Sequence, residues 1–186
     1  MSWNWVYAIS ANTFYAFYRV YFRLTLHGTE NIPRTGAVIL ASNHASNLDP
    51  TGVTCGLKRQ CHFLAKEELL KVPILGPYLS AGNVHPIKRG AVDRGALKKC
   101  ADILANGEML MIFPEGTRSP DGELQEPKPG AAMIALQNAA MIVPAYIDGS
   151  HAALPRGANF PRPRKINIYY GKPFDPATLN LPERGR

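Results

Sequence analysis

A chain of 186 residues, 46% of them hydrophobic and 19% charged, is long enough to bury a core and too apolar to remain disordered. The net charge of +7 predicts attraction to anionic surfaces, a class that includes nucleic acid, acidic lipid headgroups and phosphorylated substrates. The three cysteines, Cys55, Cys61 and Cys100, are widely spaced and form no metal-binding or CxxC pattern, so we expect reduced, mostly buried thiols in a cytosolic protein.

The first predicted element is an aromatic-rich amphipathic helix over residues 1–24. Polar residues and Arg19 interrupt the long apolar run that a membrane-spanning helix needs, and we expect no signal peptide. Two interpretations remain open: the helix packs on its own domain, or it lies at a membrane surface with its Trp and Tyr rings at headgroup level. The apolar side of the helical wheel carries Trp3, Val6, Phe14, Phe17, Tyr21 and Leu24.

Short apolar runs alternate with helical patterns along the rest of the chain. The runs have the composition of strands buried on both faces. Helical spacing is found over 93–106, which ends at the favourable C-cap Gly107, and over 131–140. This alternation predicts one α/β domain over 25–186, with a mixed, mostly parallel sheet flanked by helices. The predicted strands cover residues 37–42, 61–65, 83–87, 109–113, 141–147 and 165–170.

A histidine and a carboxylate follow the strand predicted over 37–42, in the segment Asn-His-Ala-Ser-Asn-Leu-Asp over 43–49. Ligands of α/β proteins gather beyond the carboxyl ends of strands. A spacing of five residues does not place His44 and Asp49 on one face of a helix, but a turn can bring them together. A carboxylate on one imidazole nitrogen fixes the tautomer and makes the other nitrogen a general base. Taken alone, the pattern is also typical of an ordinary loop contact.

A second polar segment, Phe-Pro-Glu-Gly-Thr-Arg-Ser over 113–119, follows the strand predicted over 109–113. Gly116 permits close approach of the backbone to a ligand. Arg118 can bind a phosphate with its planar guanidinium, Glu115 can accept a hydrogen bond from a glycerol hydroxyl, and Thr117 can donate one. The alternative is a polar surface turn.

Together, in this order and spacing, the two segments resemble the motifs of the glycerophospholipid acyltransferase family, the group of 1-acylglycerol-3-phosphate acyltransferases. The resemblance covers roughly residues 28–172. Residues 65–69 resemble the lysine-bearing segment of that family, and residues 82–89 resemble its second motif, with Lys88 where the family often has Asp. Pro144 falls in the position of a fourth block.

The resemblance implies a role for each matching residue. His44 would be the general base and Asp49 the residue that orients it, while Pro144 would shape the acyl-donor side. His62, His85 and His151 have no matching role, so we interpret them as surface or supporting histidines. The implied substrate-binding residues are Glu115, Gly116 and Thr117 together with the phosphate-binding cations Lys66, Arg89 and Arg118.

The implied activity is transfer of a fatty acyl group to the free hydroxyl of 1-acylglycerol-3-phosphate, which gives phosphatidic acid in phospholipid synthesis. The donor would be an acyl thioester, acyl-CoA or acyl carrier protein, with no further cofactor and no metal. The chain has no Gly-x-Ser-x-Gly elbow, so direct attack in a ternary complex is favoured over an acyl-enzyme. We expect a peripheral or monotopic protein on the anionic cytoplasmic face of a membrane.

Other functions remain open at this point. One keeps the reaction and changes the acceptor to another lysophospholipid or a lyso-aminolipid. Another is an ester or thioester hydrolase, against which the cluster of cations argues. A third is a non-enzymatic protein that binds anionic lipid, which would not need the His–Asp pair. Nucleic acid is not expected as a partner, because no recognisable nucleic-acid-binding motif is present.

Overall fold

One seven-stranded sheet forms the centre of the chain as far as the computed structural model describes it, over residues 5–67, 82–87 and 94–179. Neighbouring strands run parallel, except that the sixth and seventh strands in chain order pair antiparallel. The predicted mixed, mostly parallel sheet is therefore confirmed. In chain order the strands are β1 Thr25–His27, β2 Val38–Ser42, β3 Cys61–Lys66, β4 Val84–Ile87, β5 Met109–Ile112, β6 Met141–Asp148 and β7 Asn167–Tyr170. They lie side by side in the order β1-β7-β6-β2-β5-β3-β4.

The central strand β2 explains why apolar runs predict strands in this chain. It lies between β5 and β6, with Val38 opposite Met109 on one side and Met141 on the other. Both faces of β2 are covered, so successive residues are apolar instead of alternating with polar ones. Each of the six predicted segments contains a strand. Strand β1 was not predicted, because its three residues contain no apolar run.

Helices cover both faces of the sheet. The prediction over 93–106 is confirmed by α3 for the residues that the structure describes, and the prediction over 131–140 is confirmed by α4. Two further helices, α2 and α5, are too short to show helical spacing in the sequence. In chain order the α-helices are α1 Trp5–Tyr21, α2 Asp49–Thr54, α3 Arg94–Ala105, α4 Gly130–Gln137 and α5 Ser150–Ala153.

The sheet divides the core into two layers, because successive side chains of a strand point to opposite faces. On one face, Leu40 belongs to a cluster with Tyr18 of α1 and Val53 of α2. On the other face, Ile39 belongs to a cluster with Leu104 of α3 and Ala135 of α4. Helices α1 and α2 therefore lie on one side of the sheet, and α3 and α4 lie on the other.

Helix α1 packs on the domain through a face displaced from the apolar side of the helical wheel. Tyr18 and the following Phe22 are buried in the core, whereas Phe17, on the expected apolar side, is 44% exposed. The outer side carries further apolar residues, with Trp5 69% and Val20 82% exposed. Much of the aromatic content therefore belongs to the core, but an apolar outer surface remains. None of the described helices is long and apolar enough to cross a membrane.

The three cysteines are free and buried, as expected. Burial raises the pKa of the Cys55 thiol to about 12 and that of Cys100 to about 11, and it also raises the pKa of Cys61. The thiolate is the nucleophilic form of cysteine. None of the three is therefore suited to form an acyl-enzyme.

Candidate active site

His44 and Asp49 meet across the turn that connects β2 to α2. Strand β2 ends at Ser42, and Asp49 is the first residue of α2. His44 Nδ1 lies 2.9 Å from Asp49 Oδ2. The same carboxylate oxygen accepts hydrogen bonds from the backbone N–H groups of Ala45 and Ser46, each at 2.7 Å. Because Asp49 is fully buried, these bonds leave its carboxylate little freedom to rotate.

This contact defines the tautomer of His44. An ionised carboxylate only accepts hydrogen bonds, so the imidazole donates its Nδ1–H to Asp49 and keeps the lone pair on Nε2. The ring stacks on Phe113, with the two ring centroids 3.9 Å apart and an angle of 15° between the planes. The side chain of His44 is 17% exposed, and no described residue forms a hydrogen bond with Nε2. The predicted arrangement of a general base is thus present in the geometry.

The segment over 113–119 forms hydrogen bonds with both backbone polar groups of His44. The carbonyl oxygen of His44 accepts a hydrogen bond from the Ser119 N–H at 2.7 Å. The N–H of His44 donates to Glu115 Oε1 at 3.3 Å. Two segments that are far apart in the chain therefore meet because β2 and β5 are parallel neighbours, with their carboxyl ends at the same edge of the sheet.

Glu115 is buried, and hydrogen bonds engage both of its carboxylate oxygens. Oε1 accepts from His44, and Oε2 accepts from Gln125 Nε2 at 3.1 Å. Gln125 also donates to the carbonyl of Thr117, so it connects the chain after residue 120 to the turn over 113–117. The contact of Glu115 with the glycerol part of an acceptor stays a prediction, and the observed contacts give this residue a position behind His44.

A lysine that the sequence analysis does not single out lies beside the turn at Gly116. Gly116 has a φ of 72°, and its N–H donates to the Phe113 carbonyl at 3.0 Å. A Cβ at this position would stand 3.2 Å from Lys128 Nζ, so an ammonium group lies next to the turn. Arg118 is half-buried and forms no salt bridge with any residue in the described ranges. The only signal for Lys128 in the sequence is its place in the long stretch over 114–130, which has no helical or strand pattern.

The other two predicted cations lie at the limits of what the structure describes. Lys66 is the last residue of β3, opposite Ile87 of β4, and its backbone lies at the same sheet edge as the end of β5. Arg89 lies outside the described residues. The roles of Lys66 and Arg89 in phosphate binding stay predictions.

Asn43 fixes the start of the turn between β2 and α2 through a contact that its spacing in the sequence could not reveal. Its side chain donates from Nδ2 to the Ile147 carbonyl at 3.0 Å and accepts at Oδ1 from the Ile147 N–H at 2.8 Å. The amide thus pairs with β6 as another strand residue would. Ile147 lies more than a hundred positions further along the chain, so only the fold brings the two together.

Two of the histidines without an assigned role form a hydrogen-bonded chain away from this site. His85 Nε2 lies 2.9 Å from His62 Nδ1, and His62 Nε2 lies 2.9 Å from Glu108 Oε2. Burial and the nearby Lys99 lower the pKa of both histidines to about 4, so the contact with Glu108 is a hydrogen bond of a neutral imidazole near pH 7. Within the described ranges, no three His, Cys, Asp or Glu side chains are placed to hold a metal ion.

The site is a His–Asp pair at the carboxyl ends of the central strands of an α/β domain, backed by a buried glutamate and flanked by cations. A model of the acyltransferase family matches residues 23–148. The chain therefore belongs to the acyltransferase family, which confirms the resemblance stated above.

Individual relatives agree with this assignment. The chain is 33% identical to a chloroplastic 1-acyl-sn-glycerol-3-phosphate acyltransferase of Arabidopsis thaliana, over 74% of this chain and 39% of that protein. It is 30% identical to the 1-acyl-sn-glycerol-3-phosphate acyltransferase of Bacillus subtilis, over 87% of this chain and 79% of that protein. The crystal structure of the 1-acyl-sn-glycerophosphate acyltransferase PlsC from Thermotoga maritima matches with a TM-score of 0.81 and 30% identity, over 94% of this chain and 71% of that chain. The chain thus spans less than half the length of the Arabidopsis thaliana relative.

Proposed function

We propose that this protein transfers a fatty acyl group from an acyl thioester to the free hydroxyl of 1-acylglycerol-3-phosphate, with phosphatidic acid as the product. The observation that carries the proposal is the pair of His44 and Asp49, in which Nδ1 is held by the carboxylate and Nε2 is left for a substrate. The names of the matched relatives support the choice of acceptor.

The chemistry needs one group that first takes a proton and then returns it. The acceptor hydroxyl oxygen attacks the thioester carbonyl carbon while its proton passes to His44 Nε2. The tetrahedral intermediate then collapses, the carbon–sulfur bond breaks, and the leaving thiolate takes the proton from His44. Asp49 stabilises the imidazolium that exists between these steps. The backbone amides of Thr117 and Arg118 are the candidates for stabilising the oxyanion, since that of Gly116 donates to Phe113.

The phosphate of the acceptor would be bound by the cations of the segment over 113–119 and its surroundings. Arg118 follows Gly116 by two residues, Lys128 Nζ lies beside the turn at Gly116, and Lys66 and Arg89 complete the predicted set. Several cations near one base suit an acceptor that carries a phosphate better than they suit water. This favours acyl transfer over hydrolysis of the donor.

The acyl chain of the acceptor requires a site near a bilayer. We place the protein on the cytoplasmic face of a membrane as a peripheral protein, with the outer side of α1 facing the lipid. Trp5, Ile9 and Val20 are exposed there, and such a surface suits the apolar–polar boundary of a membrane. Acyl-CoA and acyl carrier protein both remain possible donors.

Product analysis by mass spectrometry tests the proposal. The purified protein would be given a panel of acyl-CoA and acyl carrier protein thioesters with lysophosphatidic acid and other lysophospholipids. We expect phosphatidic acid from the native protein and none from His44→Ala, whose fold is checked by circular dichroism. Free fatty acid as the main product would establish a hydrolase instead, and product from another lysolipid alone would change the acceptor.

A further inference from the structure

The loop between α5 and β7 carries an exposed aromatic ring among exposed cations. Phe160 is 82% exposed, as much as any large apolar side chain in the part of the chain described. Arg156 and Arg162 flank it on either side, and Arg164 and Lys165 follow, all exposed. We refer to residues 155–165 as the basic loop. A single exposed apolar side chain is common on protein surfaces, but this ring stands among cations, a combination that suits the boundary of an anionic membrane.

The positive charges of the basic loop have no acidic residues near them in the sequence. The sequence contains no Asp or Glu between Gly149 and Phe174. The two salt bridges within the described ranges, His44–Asp49 and His62–Glu108, involve none of the loop cations. The basic loop therefore presents uncompensated positive charge to an anionic surface.

The basic loop is fastened to α1. The Tyr21 hydroxyl donates to the Pro161 carbonyl at 2.9 Å, so the residue after Phe160 is held against the helix. At the end of the loop, the Ile166 N–H donates to the Phe22 carbonyl at 3.1 Å. The exposed Val20 precedes Tyr21 directly, and Trp5 and Ile9 follow the same outer side of the helix towards its start. The loop and the outer side of α1 are thus parts of one side of the molecule.

The basic loop is also connected to the candidate active site. Ser46, which binds Asp49 through its backbone, donates from Oγ to the Leu154 carbonyl at 2.8 Å. Leu154 is the residue immediately before the basic loop. A surface bound by this loop would therefore lie close to the turn that carries His44.

We propose that the basic loop is a second membrane-binding element, which inserts Phe160 below the headgroups of an anionic bilayer and places its arginines against lipid phosphates. The inference rests on the proposed membrane association and adds a contact separate from α1. Charge complementarity favours lipid as the occupant, because four cations surround a single apolar tip instead of a recessed groove that a protein segment could fill. The loop would hold the mouth of the site at the depth of the acceptor hydroxyl.

Vesicle binding of point variants tests the proposal in the full chain. Vesicles of phosphatidylcholine with phosphatidylglycerol would be compared with vesicles of phosphatidylcholine alone. Phe160→Ser should weaken binding to the anionic vesicles about tenfold. The pair Arg162→Gln and Arg164→Gln should weaken it about tenfold at low salt and much less at high salt. The matched controls are Met133→Ser and the pair Arg94→Gln with Lys98→Gln, which lie on α3 and α4 across the sheet and should change binding little.

A depth measurement gives an independent answer. The native cysteines are buried, so Phe160→Cys would provide a single reactive thiol for an environment-sensitive dye. We expect the emission to shift to shorter wavelength on anionic vesicles, with no shift for a dye at Met133→Cys. Absence of a shift at position 160 would overturn the proposal.

Activity in detergent separates this inference from the proposed function. With acceptor dispersed in micelles, the Phe160 and arginine variants should keep native activity. If the native protein binds vesicles and the loop variants bind equally well, only the basic loop proposal fails. If the arginine variants keep vesicle binding but lose activity in micelles with acyl carrier protein as the donor, the loop is a protein-docking site and the proposal is overturned. If the native protein does not bind anionic vesicles, the membrane association on which the inference rests is absent, and the basic loop proposal is overturned with it.

Discussion

The hydroxyl of Tyr18 lies 2.7 Å from Thr51 Oγ1, and it donates to the Leu48 carbonyl at 2.8 Å. Leu48 and Thr51 enclose Asp49, so helix α1 supports the start of the helix that carries this carboxylate. Tyr18 is 1% exposed, which means that removal of its hydroxyl leaves buried polar atoms with fewer partners.

Tyr18→Phe should therefore lower the free energy of unfolding by about 1–2 kcal/mol. Urea denaturation followed by circular dichroism measures this change. The control is Tyr146→Phe. Tyr146 is 43% exposed, so removal of its hydroxyl should change the free energy of unfolding little. Equal effects at the two positions would show that the contact with α2 contributes nothing. Point variants are preferred to deletion of α1, which would also remove the Tyr18 ring from the core.

Asp49→Asn should lower kcat about a thousandfold or more while the fold is retained. The Ala45 and Ser46 amides and His44 Nδ1 all contact Asp49 Oδ2. An asparagine that places its oxygen there loses the negative charge that stabilises the imidazolium, and one that places its NH₂ group there faces two backbone donors and favours the wrong tautomer of His44. Steady-state kinetics with saturating substrates measures kcat, and activity within tenfold of the native value would contradict the orienting role.

Glu115→Gln should lower kcat about tenfold to a hundredfold and leave the acceptor KM nearly unchanged. Both oxygens of Glu115 accept hydrogen bonds, from His44 and from Gln125, and a glutamine would turn one of these contacts into two facing donors. Small displacements of a catalytic group have effects of this size. The exposed neighbour Glu126→Gln is the matched control. A rise in acceptor KM with kcat intact would instead support direct contact of Glu115 with the glycerol part of the acceptor.

Arg118→Ala and Lys128→Ala should each raise the acceptor KM about tenfold to a hundredfold, since charge-assisted contacts with a phosphate are lost. The donor KM should change much less. Lys98→Ala on α3 serves as a control for loss of one positive charge, and a monoacylglycerol acceptor serves as a control without a phosphate. If the variants raise the KM for monoacylglycerol as much as the KM for lysophosphatidic acid, the two cations support the loop and do not bind phosphate.

The stability of the domain should fall as the pH falls from about 6.5 to about 4. Burial, followed by the charge of Lys99, lowers the pKa of His62 and His85 to about 4 from an ordinary 6.5. In this window the unfolded chain binds protons that the folded chain does not, so protonation favours unfolding. Urea denaturation at a series of pH values should show a shallower dependence for the double variant His62→Gln with His85→Gln. The exposed His27→Gln should leave the dependence unchanged, and parallel curves for all three proteins would exclude the pair as its source.

The strands and the site differ in how far they could be predicted. Strands such as β2 and β5 are continuous apolar runs between turn residues, and both faces of each are covered, so local composition is sufficient. Helix α2 has six residues and begins at Asp49-Pro50, too short for a helical pattern to appear. The contact of His44 with Asp49 lies within one turn. The spacing allowed this contact, but it also fitted an ordinary loop, and the resemblance of both segments to the family was needed to predict the pair.

The contacts that hold this turn were not predictable in the same way. Asn43 reaches Ile147 in β6, and Glu115 reaches the backbone of His44 from the end of β5. The residues of each pair are far apart in the sequence, and only the order of the strands in the sheet brings them into contact. The orientation of α1 also depends on the fold, because aromatic residues occur on both its inner and outer sides, and the helical wheel alone does not separate core from surface.

The residues that hold His44 come from three adjacent strands in the middle of the sheet: Asn43 follows β2, Glu115 follows β5, and Ile147 belongs to β6. Elements at the centre of a sheet open only when the domain as a whole opens, whereas edges and loops open locally at lower cost. The turn that carries His44 should therefore not unfold separately from the domain. Heat should inactivate the enzyme at the same temperature at which the domain unfolds, so the upper limit of its working temperature is set by the fold and not by the site.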